Sequence, residues 1–184
     1  GPSTPAHARF RQRIEFGSSF LAFDQHGFVA TLRRVGTLTD GGAFESEYAA
    51  WAGARFAVGV GSGMAALELG LLALGVAPGD EVAIPAMTAV PTAMAVLSVG
   101  ATPRLVDVEL ATGLMDPESL ARELSPRTLA VIPVHLYGQC ADLAAIAAIA
   151  AQHGAKLLED CAQAHGARDR GRPAGTVGAV GAVS

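Results

Sequence analysis

Asp160, Cys161, Gln163 and His165 all fall within LLEDCAQAHG, Leu157 to Gly166, directly after an apolar run. A carboxylate that closes a buried strand is costly unless it meets a cation or several hydrogen-bond donors. Two roles fit Asp160. One is capping the helix or turn that follows. The other is pairing with a protonated ring nitrogen, which a pyridinium cofactor needs because the positive nitrogen makes the ring an electron sink. Cys161 reads as a small buried filler rather than a nucleophile.

A second candidate is VGVGSGM, Val58 to Met64, a glycine-rich turn between a strand and a helix. Main-chain N–H groups at such a helix start suit a phosphate. A tight turn that simply needs small residues fits equally well. A dinucleotide fingerprint counted from Gly59 requires glycine where Met64 stands, and it wants an acid at the end of the second strand. Asp80 and Glu81 instead precede that strand. No G-x-x-x-x-G-K-[ST] and no G-x-S-x-G occurs, which excludes a P-loop and a hydrolase elbow. His135, Cys140, His153, Cys161 and His165 match no standard zinc spacing, so no metal is expected.

The elements that must position these residues alternate. Strands are expected at RFAVGV, DEVAIP, PRLVDV, LAVIPV and AKLLED, with helices at SGMAALELGLLAL, TAVPTAMAVLSV, Asp116 to about Leu124, and Leu143 to Ala150. Gly75 and Gly154 stop two of these helices, and Asp116-Pro117 has N-cap and first-turn chemistry. Phe44 to Ala52 reads as a short helix with Phe44, Tyr48 and Trp51 near one face. Phe20 to Arg34 has the pattern of an amphipathic helix, and Gly36, Gly41 and Gly42 break the chain after it. The expected fold is α/β, a mostly parallel sheet with helices on both faces. Ligands of such sheets gather at the carboxyl ends of the strands, where Asp160 falls.

Bulk composition narrows the function. Half of the 184 residues are apolar and 16% are charged, so the chain can fill a core. A net charge of −4 without a basic run argues against a nucleic-acid surface. Two cysteines make no disulfide framework and fit a cytoplasmic protein. Val82 to Pro103 carries no charge, but Pro85, Thr88, Pro91, Thr92, Ser98 and Gly100 interrupt it, so it reads as strand, turn and helix rather than a membrane span. Gly1-Pro2-Ser3 is compatible with a cloning remnant. GRPAGTVGAVGAVS ends on a short strand without a polar tail, so the chain is expected to be the N-terminal portion of something longer.

Taken in order, GTLTDGGAFESEYAAWAGARFAVGVGSGMAALELGLLALGVAPGDEV, GATPRLVDV, VIPVHLYGQCADLAAIAAIAAQHGAKLLEDCAQAHGA and GTVGAVGAVS resemble the DegT/DnrJ/StrS sugar aminotransferases, which depend on pyridoxal 5'-phosphate (PLP) and have fold type I. The resemblance runs from about Gly36 to Ser184. It implies an N-terminal arm and helix over 1–35 and a large PLP-binding domain over 36–184. Asp160 would pair with the pyridine nitrogen, Gln163 with the ring's phenolic oxygen, and Ala162 would lie against the ring. Ser62, Gly63 and Met64 would cradle the phosphate, with Ser184 adding a hydroxyl. His165 lies in the matching motif without an assigned role. Met64 replaces the family's usual Thr or Ser, and Ala89 its stacking Phe or Trp, leaving Met87 as a candidate to cover the ring. The family's Schiff-base lysine would fall just beyond Ser184. The one lysine, Lys156, begins the strand that ends in Asp160.

The resemblance implies a homodimer that moves an amino group from an amino acid such as glutamate to a nucleotide-linked keto sugar. A sugar dehydratase of the same family and a non-catalytic fragment that keeps the fold are the alternatives.

Overall fold

The computed structural model describes residues 19–23 and 41–184. The strands are β1 (Ser19–Phe23), β2 (Phe56–Val60), β3 (Glu81–Pro85), β4 (Thr102–Val106), β5 (Thr128–Val131), β6 (Lys156–Asp160), the short pair β7 (Arg168–Asp169) and β8 (Arg172–Pro173), and β9 (Val180–Val183). The helices are α1 (Gly41–Ala52), α2 (Gly63–Ala73), α3 (Val90–Ser98), α4 (Pro117–Glu123) and α5 (Leu143–Gln152).

Local chemistry sets the helix ends. Gly75, at φ +88°, follows the last turn of α2, and its N–H reaches Leu72 O while Val76 N–H reaches Leu71 O, both at 3.0 Å. This double bond around a left-handed glycine terminates a helix and satisfies its final carbonyls. Asp116 caps α4 by accepting from Glu118 N at 2.9 Å and Ser119 N at 3.2 Å, with Pro117 next in line. Asp142 caps α5 through Ala145 N.

Seven strands form one sheet in the order β2-β1-β9-β6-β5-β3-β4. All pairs from β9 to β4 are parallel. Every residue of β3 and of β9 is buried, as strands covered on both faces require. The chain moves across the sheet in one direction from β2 through β3 to β4, then back through β5 to β6. Right-handed crossovers in opposite directions put their helices on opposite faces. Accordingly α2 packs on α3, and α4 packs on α5. Among the described residues no helix is long and apolar enough to cross a membrane.

Two expectations need correction. Ser19–Phe23 is a strand, antiparallel to both β2 and β9, whereas an amphipathic helix was expected from Phe20. Two backbone ladders, one on each side, outweigh a helical side-chain pattern over so short a stretch. The remainder of that expected helix and Gly36 lie outside the described residues. Gly41 and Gly42 do not break the chain but open α1, whose Phe44 and Tyr48 are buried. Trp51 is half-buried, its ring centroid 5.5 Å from that of Tyr48.

Candidate active site

The exits of β2, β3, β5, β6 and β9 lie along the carboxyl edge of the sheet. Asp160 closes β6 and is 5% exposed. Its backbone is pinned from both sides: Asp160 N donates to Pro133 O, His135 N donates to Asp160 O, and Cys161 N donates to Ala182 O. Its side chain accepts from Thr92 Oγ1 at 2.9 Å on Oδ2 and from Ala162 N at 3.2 Å on Oδ1. Burial pushes this carboxyl above its ordinary range, while the Ala162 amide, the Thr92 hydroxyl and His135 pull it back. The hydrogen bonds just described come from neutral donors. The capping role therefore holds in part, through Ala162 N, but a carboxylate has about four acceptor positions, and these donors use two.

Gln163 projects at the exposed rim, and its Oε1 accepts from Tyr137 N at 3.0 Å. A main-chain N–H can only donate, so the carbonyl oxygen of the amide faces Tyr137 and Nε2 is left as the free donor end. Tyr137 itself has φ +56°, a left-handed conformation rare outside glycine. Ala162, half-buried, lies between Asp160 and Gln163 in the chain.

Ser62 caps α2 with Oγ accepting from Ala65 N at 3.1 Å. The amides of Gly63 and Met64 precede the helical ladder, as at any helix N-terminus. A Cβ on Gly63 would stand 2.8 Å from Ser184 Cβ and 3.1 Å from its Oγ. The turn after β2 and the end of β9 therefore meet, with the glycine hydrogen as the only spacer. Met64 is half-buried against the core. Ala89 is the exposed N-cap residue of α3 and makes no side-chain cap. Met87 is 42% exposed and leans on the β4–α4 loop, where a Cβ on Gly113 would lie 3.4 Å from its Sδ. His165 is exposed as a whole residue, yet desolvation holds its imidazole below the ordinary histidine range. Lys156, at the other end of β6 from Asp160, donates Nζ–H to Leu74 O, the C-cap of α2.

Of the residues considered as metal ligands, His135 and Cys161 do come together, with Glu159 as a third. Their hydrogen bonds define a different job. Glu159 Oε1 accepts from Val177 N and Gly178 N, and Oε2 accepts from Gly175 N and His135 Nε2. His135 Nδ1 accepts from Ala141 N. With every ring nitrogen and carboxylate oxygen engaged, the group is a latch that holds the 175–178 loop, and hence β9, against β6.

Thr92, Tyr137 and the Glu159 latch escaped the sequence reading. Only Tyr137 carried a local hint, since Gly138 follows it in a short turn.

This is an α/β domain whose buried acid Asp160 and glycine-rich turn lie at the carboxyl edge of a mostly parallel sheet. The chain belongs to the DegT/DnrJ/EryC1/StrS aminotransferase family, whose model matches residues 27–184. It is 48% identical over 141 residues to the dTDP-3-amino-3,4,6-trideoxy-alpha-D-glucose transaminase of Micromonospora megalomicea subsp. nigra, a match covering 77% of this chain and 38% of that protein. The solved aminotransferase from Psychrobacter cryohalolentis is 41% identical with a TM-score of 0.77, over 79% of this chain and 37% of that one. NtdA from Bacillus subtilis, solved with bound cofactor PMP, is 38% identical with a TM-score of 0.69, over 73% and 31% respectively. The chain spans less than half the length of each of these proteins.

Proposed function

We propose that the protein carrying this chain is a PLP-dependent aminotransferase that moves an amino group from an amino acid, with glutamate the expected donor, to a nucleotide-linked keto sugar. The observation that carries the reading is Asp160: a buried carboxylate at a strand end, held by neutral donors, with acceptor capacity left over. A protonated ring nitrogen supplies the missing cation. When bound, the pyridinium ring of PLP draws electron density from the carbon that exchanges nitrogen.

The chain's own groups fit the rest of the cofactor. Asp160 would hold the proton on the ring nitrogen. Gln163 would present Nε2–H to the phenolic oxygen, the end that its bond with Tyr137 leaves available. Ala162 and Ala89 would bound the ring faces. Ser62, the amides of Gly63 and Met64, and Ser184 would hold the phosphate at the start of α2, where the helix dipole favours an anion. A homodimer is part of the proposal. Leu72, Met94 and Leu97 on the packed pair α2 and α3 are 54%, 44% and 53% exposed, which suits a covered face. Free Cys140 and Cys161 suit a cytoplasmic location.

The test is PLP titration of the full-length protein followed by amino transfer from labelled glutamate to a nucleotide-linked keto sugar. Binding by the parent and loss with Asp160→Ala supports the assignment. An Asp160→Ala protein with normal binding and turnover overturns it.

A further inference from the structure

We infer that Thr92, backed by Thr88, is a positioning residue that aims the Asp160 carboxylate through a one-way hydroxyl relay. The inference deepens the cofactor reading of Asp160 and rests on that reading only for its consequence, not for the relay itself.

The direction of the relay follows from proton counting. Thr92 Oγ1 lies 2.9 Å from Asp160 Oδ2 and 2.8 Å from Thr88 Oγ1. An ionised carboxylate can only accept, and a hydroxyl has one hydrogen to give. The Thr92 hydrogen therefore goes to Asp160, and Thr88 must donate to Thr92. Successive hydroxyls pointing the same way polarise one another and strengthen the last bond.

A threonine inside a helix usually settles its hydroxyl on a carbonyl of its own preceding turn. Thr92, 1% exposed in the first turn of α3, instead reaches the end of β6, far away in sequence. The same purpose could not be served by lysine or arginine. A cation there would neutralise Asp160 and compete with any cationic ligand, whereas a hydroxyl fixes Oδ2 and leaves the negative charge in place. With Oδ2 held by Thr92 and Oδ1 by Ala162 N, the carboxylate plane is fixed by two elements, α3 and the β6 exit. The titratable groups that face it are His135 from the β5 exit and Cys161 next to it in its own run; Glu159, one residue before, turns its carboxylate to the 175–178 loop instead. The His135 ring is committed to Glu159 and Ala141 N, so the relay is the adjustable contact.

The test uses full-length protein in two arms. In the first, cofactor-free protein with carbon-13-labelled aspartate is titrated by NMR, with the Asp160 signal identified by its loss in Asp160→Asn. Thr92→Val should raise the Asp160 midpoint by about one unit, the size of one hydrogen bond to a charged group. Thr92→Ser should restore it, and Thr88→Val should raise it by less. An unchanged midpoint in Thr92→Val overturns the relay. In the second arm, PLP dissociation constants are measured. Thr92→Val should weaken binding about tenfold, and adding it to Asp160→Asn should cost nothing further. Full additivity would overturn the positioning role. If the midpoints shift as expected but even the parent binds no PLP, the relay stands and the cofactor reading falls. If the parent binds PLP and the midpoints do not move, the reverse holds. Should Thr92→Val not fold, Thr88→Val and Thr92→Ser carry the same comparison: a Thr88→Val midpoint equal to the parent's overturns the relay.

Discussion

Glu159 and His135 are both fully buried and meet at 3.0 Å between Oε2 and Nε2. The Ala141 N–H on His135 Nδ1 requires Nε2 to be the protonated nitrogen, so the tautomer is fixed by the backbone. The same Glu159 accepts three main-chain N–H groups at 2.7 to 2.8 Å. Glu159→Gln would turn an amide N–H toward donors that need an acceptor. We expect a loss of about 3 kcal/mol, the cost of leaving one or two buried donors unsatisfied, read as a lower urea midpoint with unchanged slope.

Gly63→Ala tests the contact between the two sides of the cradle. The added Cβ would lie 2.8 Å from Ser184 Cβ, closer than carbon atoms tolerate, so the end of β9 must retreat. PLP affinity of the full-length protein should fall at least about tenfold while overall stability drops by only about 1–2 kcal/mol. Parallel cofactor titration and thermal melts separate the two effects.

The raised pKa of Asp160 predicts a pH signature in the cofactor-free protein. The native carboxyl holds its proton to higher pH than the unfolded one, whose ordinary value is 3.8. In that window the native state binds more protons, so the contribution of Asp160 to stability falls as pH rises from the unfolded value through the native one. Asp160→Asn removes this loss, and the amide can give its N–H to Thr92 while accepting from Ala162. The variant should therefore be more stable than the parent at pH 7, with the difference shrinking below about pH 4. Urea denaturation of both proteins across pH measures it.

Ala89 offers a gain rather than a loss. It is exposed, and its side chain makes no cap. Ala89→Phe should change stability by no more than about 0.5 kcal/mol and tighten PLP binding by adding a stacking surface. Weaker binding would place another group on that ring face.

The sheet and its helices were legible because their signals are local. Asp116 is a cap, Gly75 is a left-handed stop, and the centres of β3 (Val82–Ile84) and β6 (Leu157–Leu158) are apolar. Asp160 stood out for the same reason, as a charge closing such a run. The parts that escaped depend on partners distant in the chain. Nothing near Thr92 announces that its hydroxyl leaves α3 for β6. Glu159 looks like any acid beside Asp160 until the 175–178 loop wraps it. The Phe20–Phe23 segment has a helical pattern locally, and only the ladders offered by β2 and β9 make it a strand.

The meeting of Gly63 with Ser184 also bears on how the chain folds. These residues lie near opposite ends of the long described stretch, and a contact of such sequence separation carries a large loop-closure entropy. High-separation contacts slow folding and tend to form once nearer ones have lowered their cost. The capped helices and the neighbouring β3 and β4 can assemble early, whereas the cradle must wait for β9 to dock. A phosphate-bearing ligand that needs both serines would then bind only the finished sheet, drawing the last step forward by mass action.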